Sequence, residues 1–241
     1  TWPKAIRCIS VTTIPKNNSP ILDPELIRAI GVSSAIYSLW SSIRYQHLTT
    51  WMNQISPQGI LGGVPGRSSD ESELAFSEAL HDETEDKVAI FIDRVKCFDM
   101  VIPEVSLNIA AAVGLPATIT RAVTGFYTQQ VKFFKINGYY GNQVLSCNSA
   151  IQGCSMSVMM VNVMYSVLIR SLQHSNPNIS ITTFIDDCKI WGPQSSSNEL
   201  VAAFNEIATF DTAVGQSLNE QKSEILARSK EKGRCFRRKL G

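Results

Sequence analysis

Two hydrophobic periods alternate along the chain and predict its elements. Across residues 26–51, aliphatic side chains fall at helical spacing (Val32, Ile36, Leu39, Ile43), which predicts one long helix. Residues 71–80 predict a second helix. Lys87-Val88-Ala89-Ile90-Phe91-Ile92 is a short β-branched apolar run that ends at Asp93 and reads as a buried strand. Pro103 opens a helix that Gly114-Leu115-Pro116 closes, and another follows over about residues 117–129. Within 131–145, Asn137-Gly138 stands between two aromatic, β-rich arms, a strong short-range hairpin signal. Residues 155–173 are apolar nearly all round, as a buried helix is. Residues 179–191 look like two strands meeting near Asp186-Asp187, and 197–214 form an amphipathic helix that Gly215 ends. Turn chemistry fills 15–20, and a glycine-rich loop fills 59–66.

Strands and helices do not alternate as regular βαβ units, so an α+β architecture is expected. No repeat or low-complexity linker breaks the chain.

Composition narrows this picture only a little. The 241 residues are 44% hydrophobic, enough for a core, and the net charge is +1. Charge is nevertheless segregated. Residues 70–86 carry eight acids and no Lys or Arg, which reads as a solvated helix face, whereas 228–239 carry seven bases and one acid and suit a phosphate backbone. Six cysteines are scattered without a CxxC pair, which disfavours a zinc site or a disulfide framework and fits a reducing compartment. The three histidines read as surface or helix-end residues. Residues 136–169 contain no charge, but they are interrupted by Asn, Gln and Gly, so a buried helix is expected and not a membrane span. The chain begins at Thr1 without a secretory signal and reads as a fragment.

The candidate chemistry sits at two strand ends. One apolar strand delivers Asp93, and another delivers Asp186 and Asp187. A carboxylate beside a buried strand is costly unless it is paired or ligates a metal. Two such strands side by side would gather three carboxylates, whose repulsion calls for cations. Mg²⁺, a hard oxygen-seeking ion, suits such a set, and two ions roughly 3.5–4 Å apart can drive an in-line phosphoryl transfer.

The words around these acids are more specific. Phe91-Ile92-Asp93-Arg94-Val95-Lys96-Cys97-Phe98-Asp99-Met100-Val101 resembles the first catalytic motif of reverse transcriptases of the non-LTR retrotransposon type. Ala150-Ile151-Gln152-Gly153-Cys154-Ser155-Met156-Ser157 is similar to the second motif, and Phe184-Ile185-Asp186-Asp187 to the third. Gly215-Gln216-Ser217-Leu218-Asn219-Glu220-Gln221-Lys222-Ser223 is similar to the fourth, and Lys239-Leu240-Gly241 to the start of a primer grip. Near the N-terminus, Ile14-Pro15-Lys16, Arg28-Ala29-Ile30, the helix over 34–44 and the Gly62-to-Ser68 loop match the fingers motifs of the same family. The resemblance thus spans almost the whole chain.

The resemblance implies the fingers and palm of a right-hand polymerase, with an antiparallel palm sheet packed on helices. It puts fingers at about 1–86 and 118–148, palm at about 87–117 and 149–241, and no thumb. It implies an RNA-directed DNA polymerase that extends a DNA primer on an RNA (or DNA) template with deoxynucleoside triphosphates. It also implies two Mg²⁺ ions, with Mn²⁺ as the substitute, a retrotransposon origin, and intracellular, nuclear action without a membrane. Asp93, Asp186 and Asp187 would be the catalytic metal ligands. Phe98 would stack under the incoming sugar and exclude a 2′-hydroxyl, Gln152 and Gly153 would form a turn touching nucleotide or template, and Arg28 would clamp the triphosphate. Lys222 would give a proton to the leaving pyrophosphate. Asp99, six residues after Asp93, reads instead as a structural residue capping the turn before the helix at Pro103. Several positions depart from the family words: Ser149, Ser155, Phe184, Ile185 and Ala29 replace the usual Gly, Pro, Tyr, Ala and Pro.

Two other functions compete. A decayed domain that grips RNA without chemistry would have no need of three neighbouring carboxylates. A viral RNA-dependent RNA polymerase typically carries Asp where this chain has Phe98.

Overall fold

The computed structural model describes residues 2–16, 27–81, 85–146 and 148–227. The basic run of 228–239, the primer-grip-like terminus and the acids Asp82 and Glu83 lie outside the described residues. The chain forms two compact units: Thr1–Leu48 with Val101–Met160, and Thr49–Met100 with Val161–Gly241.

The first unit is built on a four-stranded sheet. Strand β1 (Cys8–Pro15) pairs antiparallel with β2 (Ile27–Val32). Helices α1 (Ala35–His47), α2 (Thr49–Ile55) and α3 (Ser69–His81) follow in the chain, of which only α1 belongs to this unit. Here the structure corrects the periodicity over 26–51. Its first part is strand β2, because β1 offers a six-residue antiparallel ladder that outweighs a weak helical pattern. Ser34 caps α1, its hydroxyl accepting from the Tyr37 amide at 3.2 Å. The Ile36, Leu39 and Ile43 stripe faces outward, while Tyr37 and Ser41 are buried.

Strand β3 (Lys87–Ile92) and helix α4 (Cys97–Met100) belong to the second unit, and α5 (Pro103–Ala112) and α6 (Ala117–Tyr127) return to the first. The N-cap position of α5 is Ile102, which carries no side-chain hydrogen bond. Strands β4 (Val131–Ile136) and β5 (Tyr139–Leu145) form the expected hairpin, with positive φ at both Asn137 and Gly138. β4 runs parallel to β1, which completes the order β2-β1-β4-β5. The core of this unit is aromatic. Tyr37 and Phe126 stack in parallel 3.3 Å apart, and Trp2 meets both edge-on and donates its indole N–H to the Ala122 carbonyl at 2.7 Å.

Helix α7 (Ser155–Ser175) is long and apolar enough to cross a membrane, but most of its apolar window is buried in protein, as a core helix requires. Strands β6 (Ser180–Phe184) and β7 (Asp187–Pro193), helix α8 (Ser197–Ala213) and strand β8 (Glu224–Ala227) complete the second unit. Its sheet has the order β6-β7-β3-β8 and is antiparallel throughout. One face carries Val88, Ile90, Ile92, Cys188 and Ile190, all buried. Leu200, Ala203 and Ile207 of α8 and Tyr165, Leu168 and Ile169 of α7 are buried in the same unit. Each of these valine, leucine and isoleucine side chains contributes about 1.5–3 kcal/mol by leaving water. On the other face, Phe76 of α3 packs with Ala89, Phe91 and Trp191. This is the α+β architecture read from the sequence.

Candidate active site

Because β3 and β7 run antiparallel, with Ile92 opposite Cys188, the end of one strand lies beside the start of the other. Asp93 therefore follows the last residue of β3 next to Asp187, the first of β7. Both line one cleft of about 420 Å³, with Phe91, Thr182, Lys189 and Lys222 among its other walls. Asp186 sits in the two-residue turn between β6 and β7. Partial desolvation, then the negative charges of Asp186 and Asp93, push the Asp187 carboxyl upward, and Arg94 pulls it back. Asp187 is thus within electrostatic reach of both other acids read from the sequence.

The turn itself is unusual. Ile185 has φ +60°, a conformation that β-branched residues rarely adopt, while Asp186 keeps negative φ. Positive φ at the first loop residue alone is the pattern of a type II′ hairpin turn, which ordinarily takes glycine there. A loop braces the turn. Ile60 bridges Thr183 in parallel, the Leu61 amide donates to the Thr183 carbonyl at 2.9 Å, and the Thr183 amide donates to the Gly59 carbonyl at 2.7 Å. Arg67 secures that loop by donating to the carbonyls of Pro57, Ile60 and Ser56.

Asp93 is held from the fourth motif. The Asn219 amide side chain donates to Asp93 Oδ2 at 2.8 Å, and the Asn219 main-chain N–H donates to the Asp93 carbonyl at 2.9 Å. The Asp93 N–H donates to Ser223 Oγ at 3.2 Å, and that hydroxyl donates to the Asn219 carbonyl. Lys222 Nζ stands 4.0 Å from Asp93 Oδ2 with its side chain 67% exposed, a solvated pairing worth little as stability. Phe98 lies half-buried on α4, just after Lys96 at φ +46°. Burial raises the thiols of Cys97 and Cys188 to about 11, so both are neutral and unreactive.

Three of the expected nucleotide-binding residues belong to the first unit. Gln152 and Gly153 form a turn closed by the Cys154 N–H donating to the Ile151 carbonyl at 3.1 Å. Gly153, at φ +93°, occupies the position of a type II turn that needs glycine. Arg28 is exposed on strand β2, not on a helix, opposite Ile14.

Oxygen donors of this kind suit a hard divalent ion, which would also relieve the repulsion felt by Asp187. Among the described residues, however, no three His, Cys, Asp or Glu side chains converge closely enough to form a ligand cluster. Asp93 Oδ2 is instead engaged with Asn219 and faces Lys222.

A family model described as reverse transcriptase (RNA-dependent DNA polymerase) matches residues 14–234. The chain belongs to that family. Its fold is similar to telomerase of Candida tropicalis in complex with a TWJ fragment of telomeric RNA, with TM-score 0.68, 13% identity, 95% of this chain and 42% of that one. It is also similar to the apo Candida tropicalis telomerase truncated from its C-terminal domain, with TM-score 0.68, 12% identity, 94% of this chain and 51% of that one. Telomerase of Candida albicans with the same kind of RNA fragment matches at TM-score 0.63 and 13% identity, over 95% of this chain and 43% of that one. At these identities the likeness is one of fold. This reverse transcriptase domain spans about half or less of the length of the telomerase chains it matches.

Several residues that build the site carry no role in the sequence pattern. Arg94, Asn219, Ser223, Gly62 and Arg67 stand inside motifs whose chemistry falls to other residues, and Asp211 stands outside every motif. Only the spacing of Asn219 within the fourth motif hinted at its place.

Proposed function

We propose that this chain is the fingers-and-palm part of a reverse transcriptase of the non-LTR retrotransposon type. It adds deoxynucleotides to a primer 3′ end on an RNA template. The observation that carries the reading is the meeting of Asp93 and Asp187 in one cleft, with Asp186 in the adjoining turn and Asn219 bonded to Asp93. Divalent magnesium, or manganese in its place, would be held by Asp93, Asp186 and Asp187 and would supply activation of the primer hydroxyl and neutralisation of the triphosphate.

The chain's own groups have separate tasks on this reading. Lys222, exposed beside Asp93, gives a proton to the departing pyrophosphate. The Phe98 ring excludes a 2′-hydroxyl, and the fork of Arg28 grips phosphate. Gln152 and Gly153 bring main chain close to nucleotide or template. RNA as a partner draws support from the TWJ fragment of telomeric RNA in the Candida tropicalis telomerase structure. Nuclear action follows from the retroelement reading alone.

A second reading is a decayed domain that grips RNA without chemistry. It is favoured by the engagement of Asp93 Oδ2 with the Asn219 side chain and by the Lys222 ammonium facing it.

Primer extension on poly(rA)/oligo(dT) with dTTP and Mg²⁺, run beside Asp186→Ala and with primer-template binding measured in parallel, separates the two. Extension that the substitution abolishes supports the polymerase. Primer-template binding without extension in the unsubstituted chain, persisting when a related thumb segment is added, supports the binding module.

A further inference from the structure

Arg94 follows Asp93 directly, yet its side chain turns into the protein and is fully buried. Nε donates to Asp211 Oδ2 at 2.7 Å, in an ion pair whose side chains are 0% and 1% exposed. Nη1 donates to the main-chain carbonyl of Asp186 at 3.0 Å. The guanidinium carbon lies 4.2 Å from the centroid of the Tyr165 ring. Asp211 is itself placed by its own turn, where the Gln216 amide donates to the Asp211 carbonyl at 2.7 Å as α8 ends.

An ion pair buried this deeply is a poor way to hold a core, since apolar residues of similar volume often do as well or better. Its distinct consequence is geometric. It fixes a planar, multi-donor group against the Asp186 carbonyl of the strained Ile185–Asp186 turn. A lysine ammonium is a point charge that cannot reproduce that fork.

We propose that Arg94, oriented by Asp211 and Tyr165, is a positioning residue that holds the Asp186 turn so that its carboxylate can take a divalent cation. The inference rests on reading Asp93, Asp186 and Asp187 as metal ligands. Arg94 touches no substrate and acts only through the turn, as partners behind metal ligands do elsewhere, where their loss weakens metal affinity by about 10–100-fold.

The test is Mn²⁺ binding, followed by the loss of the free-ion electron paramagnetic resonance signal. It compares the unsubstituted chain with Asp186→Asn, Arg94→Lys and the double variant Arg94→Met/Asp211→Leu. The double variant removes both buried charges together, so neither is left unpaired in the core. Arg94→Lys keeps a charge facing Asp211 and serves if the double variant does not fold. Thermal unfolding establishes that each variant is folded at the assay temperature. We expect Arg94→Lys and the double variant to bind Mn²⁺ at least about tenfold more weakly while still folded. In primer extension they should need correspondingly more Mg²⁺ for half-maximal rate, with the nucleotide KM little changed. Unaltered Mn²⁺ affinity in a folded Arg94 variant, with Asp186→Asn weakened, overturns the positioning role alone. Mn²⁺ binding that Asp186→Asn leaves unchanged overturns the metal-site reading, and the proposal with it.

Discussion

Gly62 lies so close to Ile185 that a β-carbon there would stand 2.7 Å from both the Ile185 main-chain nitrogen and its Cγ1, and 3.1 Å from the Phe184 carbonyl carbon. The Gly62 carbonyl is held in turn by the Asn162 side-chain amide at 2.8 Å. Gly62→Ala must therefore displace main chain in the turn that carries Asp186. Overpacking of this kind costs about 1–3 kcal/mol. Urea unfolding should show that loss, and on the proposed function primer extension should fall further than stability alone explains.

Ile185 should behave unlike a core isoleucine. Its positive φ stores strain that glycine would release, offsetting the lost side-chain contacts. Ile185→Gly should leave stability within about 1 kcal/mol of the unsubstituted chain. Ile190→Ala, in the buried face of β7, should cost about 2–5 kcal/mol. Urea midpoints of the two variants check the contrast.

Asn219 should matter more than Lys222. The Asn219 side chain bonds the Asp93 carboxylate at 2.8 Å, whereas Lys222 is solvated and 4.0 Å away. Asn219→Ala should lower stability by about 1–2 kcal/mol, and Lys222→Ala should leave it nearly unchanged. If Lys222 gives the proton to pyrophosphate, its loss should appear instead as a lower extension rate whose pH dependence is altered.

Asp187 has its folded-state carboxyl pushed above the ordinary range by desolvation, Asp186 and Asp93. A raised acid favours the fold while protonated. That contribution is present below the unfolded pKa near 3.9 and is lost as pH rises through the folded value. Asp187→Asn should accordingly stabilise the fold at neutral pH and give no gain near pH 3. Unfolding curves at the two pH values give the sign directly.

Phe98 is the test of sugar selection. Phe98→Ala should raise incorporation of ribonucleotides relative to deoxynucleotides by about tenfold or more if the ring excludes the 2′-hydroxyl. Competing labelled nucleotides in primer extension measure the ratio. An unchanged ratio would make Phe98 a packing residue of α4.

Much of the scaffold was legible because its signals are local. Asn137-Gly138 announces its own hairpin through the φ values it tolerates, and Gly215 ends α8 at φ +80° as a glycine after a helix does. The run before Asp93 and the Asp186-Asp187 pair are contiguous words that need no distant partner to be noticed. Strands β1 and β8 were missed for the opposite reason. Neither alternates cleanly, and each exists through its ladder with a strand far along the chain. The segment over 27–32 shows local pattern overruled, since its aliphatic residues suit a helix until β1 supplies hydrogen bonds.

By itself, then, the sequence determined the family, the α+β class and the strand ends that carry the three candidate acids. These depend on residue type, short spacing and backbone propensity. Tertiary structure alone decided how those acids are held. Asn219 reaches Asp93 across 126 positions and Arg94 reaches Asp211 across 117. Gly62 owes its importance to a turn over a hundred residues away. Whether an arginine is a solvated surface charge or a buried fork depends on what surrounds it, and dielectric and hydrogen-bond partners are properties of the packed chain.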